Sequence, residues 1–323
     1  MKRLPVTAAA YQYVEKSFKE WLGVLGYSWQ SVYYMPVFIR GLFNHLEKQN
    51  KAQLQDITIE AIKDYYYNEL KQRKNCMRQS GTLTNAHLNN HIQALKKFTE
   101  YLRQTGKLQI PMFDIALEKV MNEKLTVLTE EEIQQLYTAT EVPQHSRYNN
   151  RSAELYEAIQ QRDKAMLAIF YGCALRRNEG CCLNVNDINI SSSVVHVRKG
   201  KGYKERLVPI SNKSLEHITT YIYEGRNYLM KNNNEEAFFV GSNNGKRLGG
   251  QLMLVKLQQL VARTDNAGLI QKEIGLHTLR HSIATHLLAH GMSLEKIKDF
   301  LGHSSLESTQ IYTHLINNED GKV

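Results

Sequence analysis

The sequence predicts a mainly α-helical chain of two domains, an N-terminal helical bundle followed by a larger α+β domain with a small hairpin sheet. Apolar residues in roughly the first hundred positions recur at helical spacing in short runs separated by polar links, the pattern of a small bundle. Farther on, Val194-Val-His-Val197 alternates as a strand does, and Leu207-Val-Pro-Ile210 can pair with it across a loop containing glycine. Size and charge also point to two domains. The 323 residues suffice for two cores, and the net charge of +9 is distributed unevenly. Residues 1 to 110 hold 16 basic and 8 acidic residues, whereas the remaining 213 hold 25 and 24. A basic module ahead of a near-neutral one suits a polyanion-binding unit joined to a unit with another task, or a soluble protein with one basic surface.

In the first domain, residues 1–110, Tyr13, Phe18, Trp21, Leu22 and Leu25 predict one helix. Val37, Phe38, Leu42 and Leu46 mark the inner face of a second, over 32–46. A third starts near Asp56 and continues through Ile62, Tyr65, Tyr66 and Leu70. Thr82 or Thr84 can cap a fourth, through Leu88, Ile92, Leu95, Phe98 and Leu102, closed by Gly106. Of the triplet Tyr65 to Tyr67, core packing is expected ahead of stacking on nucleic acid. The connector Lys71-Gln-Arg73-Lys74-Asn-Cys-Met-Arg78 is either a solvated loop or a phosphate-contacting edge. Residues 111–124 are expected to form a linker, with Pro111 near its start.

The second domain, 125–323, opens with Thr129 and Glu132 at capping-box spacing. Residues 141–151 are expected to form a polar surface loop. An apolar helix over 162–171 ends at Gly172, and Leu175-Arg176-Arg177-Asn178-Glu179 follows. The loop between the paired strands, Arg198 to Arg206, is crowded with Lys199, Lys201 and Lys204. Phe238 to Val240 is expected to be a further strand.

The most informative stretch lies near the C-terminus. Leu279, Ile283 and Leu287 form the buried stripe of a helix that carries His277 and Arg280 together on a neighbouring face. Gly291 ends it; Ser293 caps a second helix with Leu294, Ile297, Phe300 and Leu301 on its inner face; Gly302 stops that one. His303 therefore falls on a turn, and Ser304 with Glu307 has the spacing to start a last helix bearing Tyr312. His281, His286 and His290 share the first helix and are expected to be ordinary helix residues.

The series H-x-x-R, then L-G-H, then Tyr nine residues after the second His resembles the tyrosine recombinase, or phage integrase, family. The L-T-x-E-E opening after Val127, the Leu175-Arg176…Glu179 segment and the Gly-Lys-Gly hairpin are similar to further motifs of that family. Ala174, Asn178 and Gly180 stand where it usually has Gly, a hydroxyl residue and Leu. Arg177 is a rival for the first arginine, and the Leu before and the Glu three after favour Arg176.

The resemblance implies a SAM-like core-binding domain followed by a catalytic domain of the DNA breaking-rejoining type, in a Xer-like or Cre-like layout that clamps duplex DNA. It implies a tetramer on two synapsed, specific sites, with no metal and no cofactor. Its catalytic set falls on Arg176, Lys201, His277, Arg280, His303 and Tyr312, with Glu179 as a supporting carboxylate; Lys71, Arg73, Lys74, Arg78, Lys199, Lys204 and Arg206 are candidate DNA contacts. The residue types suit phosphodiester chemistry. Guanidinium groups bind phosphate oxygens in pairs and stabilise charge as it develops. A phenol with a pKa near 10 is far easier to deprotonate than serine or water. Lys201 can protonate the leaving 5'-oxygen, and His277 and His303 can hold non-bridging oxygens or help the tyrosine lose its proton. The alternative is a DNA-binding regulator that kept the fold without the activity.

The four cysteines, Cys76, Cys173, Cys181 and Cys182, have no metal-ligand spacing and are expected to be reduced and mostly buried. The N-terminus lacks the apolar stretch of a signal peptide and no apolar run is long enough to span a membrane, so a soluble, cytoplasmic protein is expected.

Overall fold

The computed structural model describes residues 4–74, 81–112, 114–120, 125–142, 152–198, 205–231 and 235–313. The chain is mostly helical and divides into two compact units, Met1–Asn122 and Glu123–Val323.

The first unit holds α1 (Ala9–Val24), α2 (Trp29–Lys48), α3 (Ile59–Asp64), whose chain runs on through a wider π-type turn over Tyr65–Leu70, and α4 (Asn85–Gln104). Side-chain oxygens of Ser28, Thr58 and Thr84 accept from the third backbone N–H beyond them and so start α2, α3 and α4. On α1 the buried stripe is Tyr11, Val14, Phe18 and Leu22, while Tyr13 and Leu25 are exposed. Of the residues that predict this helix, Phe18 and Leu22 are in the buried stripe. Tyr11 stacks flat on Phe43 at 4.7 Å, a cross-helix contact on the inward face. On α2 the buried face is shifted, to Ile39, Leu42, Phe43 and Leu46. The expected stripe of α4 is buried throughout. Tyr65 and Tyr66 are core residues and Tyr67 is half exposed. Residues 114–120 run along this unit: Ile115 is in its core and Asn89 Oδ1 accepts from the Glu118 N–H at 2.7 Å.

The second unit begins with α5 (Glu130–Ala139), where Thr129 and Glu132 form the reciprocal capping box. Next come α6 (Ala153–Leu167), extended by a π-type turn over Ala168–Gly172, and the short α7 (Arg177–Cys182). A three-stranded antiparallel sheet follows, β1 (Ile188–Asn189), β2 (Val194–Val197) and β3 (Arg206–Pro209), ordered β1-β2-β3. Val195 pairs with Val208 and Val197 with Arg206, which turns Val195, Val197 and Val208 into the core. Then come α8 (Asn212–Thr220), a π-type turn over Tyr221–Gly225, α9 (Arg226–Met230), α10 (Gly250–Val261) and α11 (Ala267–Gln271). The unit's described residues end with α12 (Leu276–Ala289), α13 (Leu294–Leu301) and α14 (Glu307–Gln310).

Phe238 to Val240 is not a strand. Ala237 and Val240 make only single bridges, to Asn184 and Arg247, and the two phenylalanines pack edge to face at 4.5 Å inside the main core. A smaller core of Ala174, Ala284, Ile297, Leu301 and Tyr312 lies among α12, α13 and the segment after α14. Cys173 is a buried free thiol and Cys182 an exposed one, so the expectation of burial fails for Cys182; Cys76 lies outside the described residues. Among the described residues no helix is long and apolar enough to cross a membrane.

Candidate active site

The site grows from a backbone irregularity at the end of the α6 extension. Ala174 lies at φ +52°, in the left-handed region that costs an L-residue about 1 kcal/mol. Its carbonyl accepts from Arg280 Nη1 at 2.5 Å, and the chain then enters α7 with Arg176 as the residue before the first turn. Glu179, one turn on, accepts from the Arg176 N–H at 2.9 Å and from Arg176 Nη1 at 2.7 Å. Here local sequence both ends one helix and fixes the first guanidinium at the start of the next. Gly180 belongs to the same packing, since a Cβ there would lie 2.6 Å from the Phe170 ring. Phe170 thus fills the space that the larger residue expected at position 180 would need.

Arg280 is carried by α12 and is buried, with its Nη2 on the Leu301 carbonyl at 2.7 Å. Arg176 Nη2 reaches the next carbonyl, that of Gly302, at 2.9 Å. Two guanidinium groups from segments about a hundred residues apart therefore meet at the C-terminus of α13, where unpaired carbonyls offer partial negative charge. Gly302 makes the turn possible: it sits at φ +65° and closes α13.

His303 follows at once, and its Nδ1 is 3.0 Å from the Thr309 hydroxyl. Thr309 is fully buried and belongs to α14, so this bond joins the turn to the last described helix. The expected Ser304–Glu307 capping box is absent; Leu306 precedes α14 without a side-chain cap. Tyr312 is also fully buried, in the small core, and its hydroxyl lies 3.0 Å from Nδ1 of His281. His277 is exposed on the first turn of α12, with its ring 6.5 Å from that of His281.

Electrostatics follow from the crowding of positive groups. Burial, then the like charge of Arg176, lowers Arg280 to about 10. Burial, then Arg280 and Arg176, holds His303 down to about 4, and burial with His277 and Arg280 does the same for His281. His277 is lowered by partial burial and by Arg280, Arg177 and Arg176. Burial raises the Tyr312 phenol, opposed by the fields of Arg280 and Arg176. Arg176, Arg280 and Arg206 share the single carboxylate of Glu179, so the centre carries excess positive charge and suits a phosphate.

The structure thus brings Arg176, Arg280, His303 and Tyr312 together, with Glu179 beneath and His277 at the rim. Lys201 lies outside the described residues, as do Arg78, Lys199 and Lys204. Arg206, expected among the DNA contacts, is turned inward: Nη1 and Nη2 both donate to Glu179, at 3.0 and 2.8 Å. It supports the site from below. Lys71 is paired with Glu118 at 2.8 Å and Arg73 with Glu69 at 2.7 Å, while Lys74 bridges to Thr82 through the backbone. His281, expected to be an ordinary helix residue, is the hydrogen-bond partner of the Tyr312 hydroxyl. Its spacing from His277, one helical turn, was the available signal; its partner Tyr312 lies 31 positions further along the chain. His286, by contrast, is structural, bonding the Tyr171 hydroxyl and the Leu128 carbonyl at 2.9 Å each.

With this geometry in view, the chain can be set beside known proteins. The profile of the phage integrase family matches residues 126–319. A tyrosine recombinase XerD of Oceanobacillus iheyensis is 34% identical over 232 residues, 71% of each chain. Another, from Halalkalibacterium halodurans, is 31% identical over 261 residues, 80% of this chain and 78% of that one. Among solved structures, the XerH site-specific recombinase in its pre-cleavage complex with difH substrate superposes with a TM-score of 0.67 at 19% identity, covering 98% of this chain and 85% of that one. A lambda integrase dimer bound to a COC' core site gives 0.61 at 15% identity, covering 93% and 94%. These structures share the fold; the profile and the XerD relatives go further, and the chain belongs to the phage integrase family of tyrosine recombinases.

Proposed function

We propose that this protein is a site-specific DNA recombinase that cuts and rejoins duplex DNA through a 3'-phosphotyrosine on Tyr312 and a Holliday junction. The observation that carries the reading is the meeting of Arg176 and Arg280 at consecutive carbonyls, Gly302 and Leu301, beside His303 and the buried phenol. A phosphodiester bound there exchanges weak carbonyl partners for a full anion, which guanidinium groups bind more strongly. Tyr312 attacks phosphorus, Arg176 and Arg280 stabilise the added negative charge, and His277 and His303 hold the non-bridging oxygens. Lys201 protonates the departing 5'-oxygen. The covalent intermediate conserves the bond energy, so religation needs no ATP.

In this reading residues 1–110 bind DNA and residues 125–323 catalyse. The connector Lys71, Arg73, Lys74 and Arg78, with Lys199 and Lys204 of the hairpin, contacts phosphates; Lys71 and Arg73 must first exchange Glu118 and Glu69. Four copies act on two synapsed sites, in the cytoplasm, to integrate, excise or resolve a mobile element or replicon. The test is a nicked duplex built on sites that the protein selects from a random pool, incubated with EDTA and without ATP. A covalent protein–DNA species is expected; DNA binding with no such species would turn the reading toward a regulator.

A further inference from the structure

Among the described residues, the hydrogen-bond partner of the Tyr312 hydroxyl is neither histidine of the H-x-x-R and L-G-H motifs. His303 Nδ1 is engaged by Thr309 at 3.0 Å, and His277 is at the exposed start of α12. Nδ1 of His281 is the group that meets the phenol, at 3.0 Å, with the two rings tilted by 47° and their centroids 5.8 Å apart.

We propose that His281 is a further catalytic residue, which takes the Tyr312 proton during cleavage and returns it during religation. This rests on Tyr312 being the nucleophile. In the forward step the phenolic O–H proton passes to His281 Nδ1, the Tyr312 Oη–P bond forms, and the P–O5' bond breaks, with the 5'-oxygen receiving its proton from Lys201. In the reverse step a 5'-hydroxyl gives its proton back to Lys201 and attacks phosphorus, the phenolate leaves, and His281 Nδ1–H reprotonates it. Charge and protons balance in both directions.

Two features support the role. A base must be neutral before the step, and the groups facing His281 keep it so: His277 and Arg280 on its own helix and His303 on the turn after α13 are cationic or can become so, and Tyr312 approaches as a neutral phenol. Burial, then His277 and Arg280, holds the ring down to about 4 in the free protein. A DNA phosphate on Arg176 and Arg280 would offset the arginine field, raising the basicity of His281 as the proton has to leave. Position helps as well. α12 carries both Arg280, which holds the Ala174 and Leu301 carbonyls, and His281, which holds the phenol, so one helix positions both groups.

The experiment measures single-turnover cleavage of the nicked duplex by the full chain as a function of pH, for the native protein and for His281→Gln, which can hydrogen-bond but cannot accept a proton near neutrality. The native rate is expected to rise with pH through the DNA-bound value of His281. His281→Gln should bind DNA and melt as the native protein does, cleave about 10²- to 10⁴-fold more slowly and lose that rise. A fluorinated tyrosine at position 312, whose proton leaves more readily, should narrow the gap, and added imidazole should restore part of the rate in His281→Ala. A His281→Gln protein with the native rate and pH profile would overturn the proposal, as would a defect that neither fluorotyrosine nor imidazole reduces. An adduct persisting in Tyr312→Phe would overturn the nucleophile reading itself, a separate result.

Discussion

Glu179 and Arg206 face each other through two hydrogen bonds, at 2.8 and 3.0 Å, in a position where the carboxylate is almost wholly shielded from water. Glu179 also holds Arg176 by its side chain and its N–H, so one buried anion anchors two arginines. Burial alone would raise its pKa; the bonds and charge of Arg206, then those of Arg176, override this and bring it to about 2.

Glu179→Gln should therefore destabilise the second unit by about 3–5 kcal/mol, since it leaves Arg206 buried without a counter-charge. Urea unfolding monitored by tryptophan-independent circular dichroism checks this. A loss below about 1 kcal/mol, the worth of an exposed pair, would contradict it.

The same group predicts how stability depends on acid. Its folded value lies below its unfolded one of 4.5, so its contribution is complete above pH about 4.5 and disappears as pH falls towards about 2. The shift corresponds to about 3 kcal/mol. Stability measured across that window should fall in the native protein and fall less in Glu179→Gln.

Gly302→Ala tests the turn that unites the site. The new Cβ would require φ +65° and would lie 2.7 Å from Arg206 Cδ. A loss of about 2 kcal/mol or more is expected, of which the left-handed backbone accounts for about 1–2. Thermal melting that shows no change would mean the turn is not constrained as described.

Thr309→Val removes the bond to His303 without changing shape much. Cleavage should slow about 3- to 10-fold, the worth of one hydrogen bond, and Thr309→Ser should recover most of it. A Thr309→Val protein that cleaves at the native rate would show that the hydroxyl does not matter.

Much of this was readable in advance where the determinants are local. The Thr129–Glu132 capping box, the stripe of α4, the stops at Gly291 and Gly302 and the β2–β3 pairing depend on residues within a turn or a hairpin of one another. The failures depend on distant partners. The exposure of Tyr13 and Leu25 on α1 goes with the stacking of Tyr11 on Phe43 of another helix, Arg206 is drawn inward by Glu179, and His281 meets Tyr312. Ser304 and Glu307 had the right spacing for a cap, yet His303 bonds Thr309 instead and the chain enters α14 from Leu306. The arginines were found because their motif spacing is distinctive, although what they hold in the free protein, the carbonyls of Ala174, Leu301 and Gly302, has no mark in sequence.

The central claim is that residues from Arg176 to Tyr312 act on one phosphate. Arg280→Lys bears on it, since an ammonium lacks the planar fork whose two nitrogens reach the Ala174 and Leu301 carbonyls, and cleavage should drop about 10²- to 10³-fold. The most direct measurement is mass spectrometry of the peptide that remains attached to DNA after digestion of the trapped adduct. A nucleotide bearing a 3'-phosphate linked to Tyr312 is expected; a link to any other residue would contradict the role of Tyr312 as nucleophile.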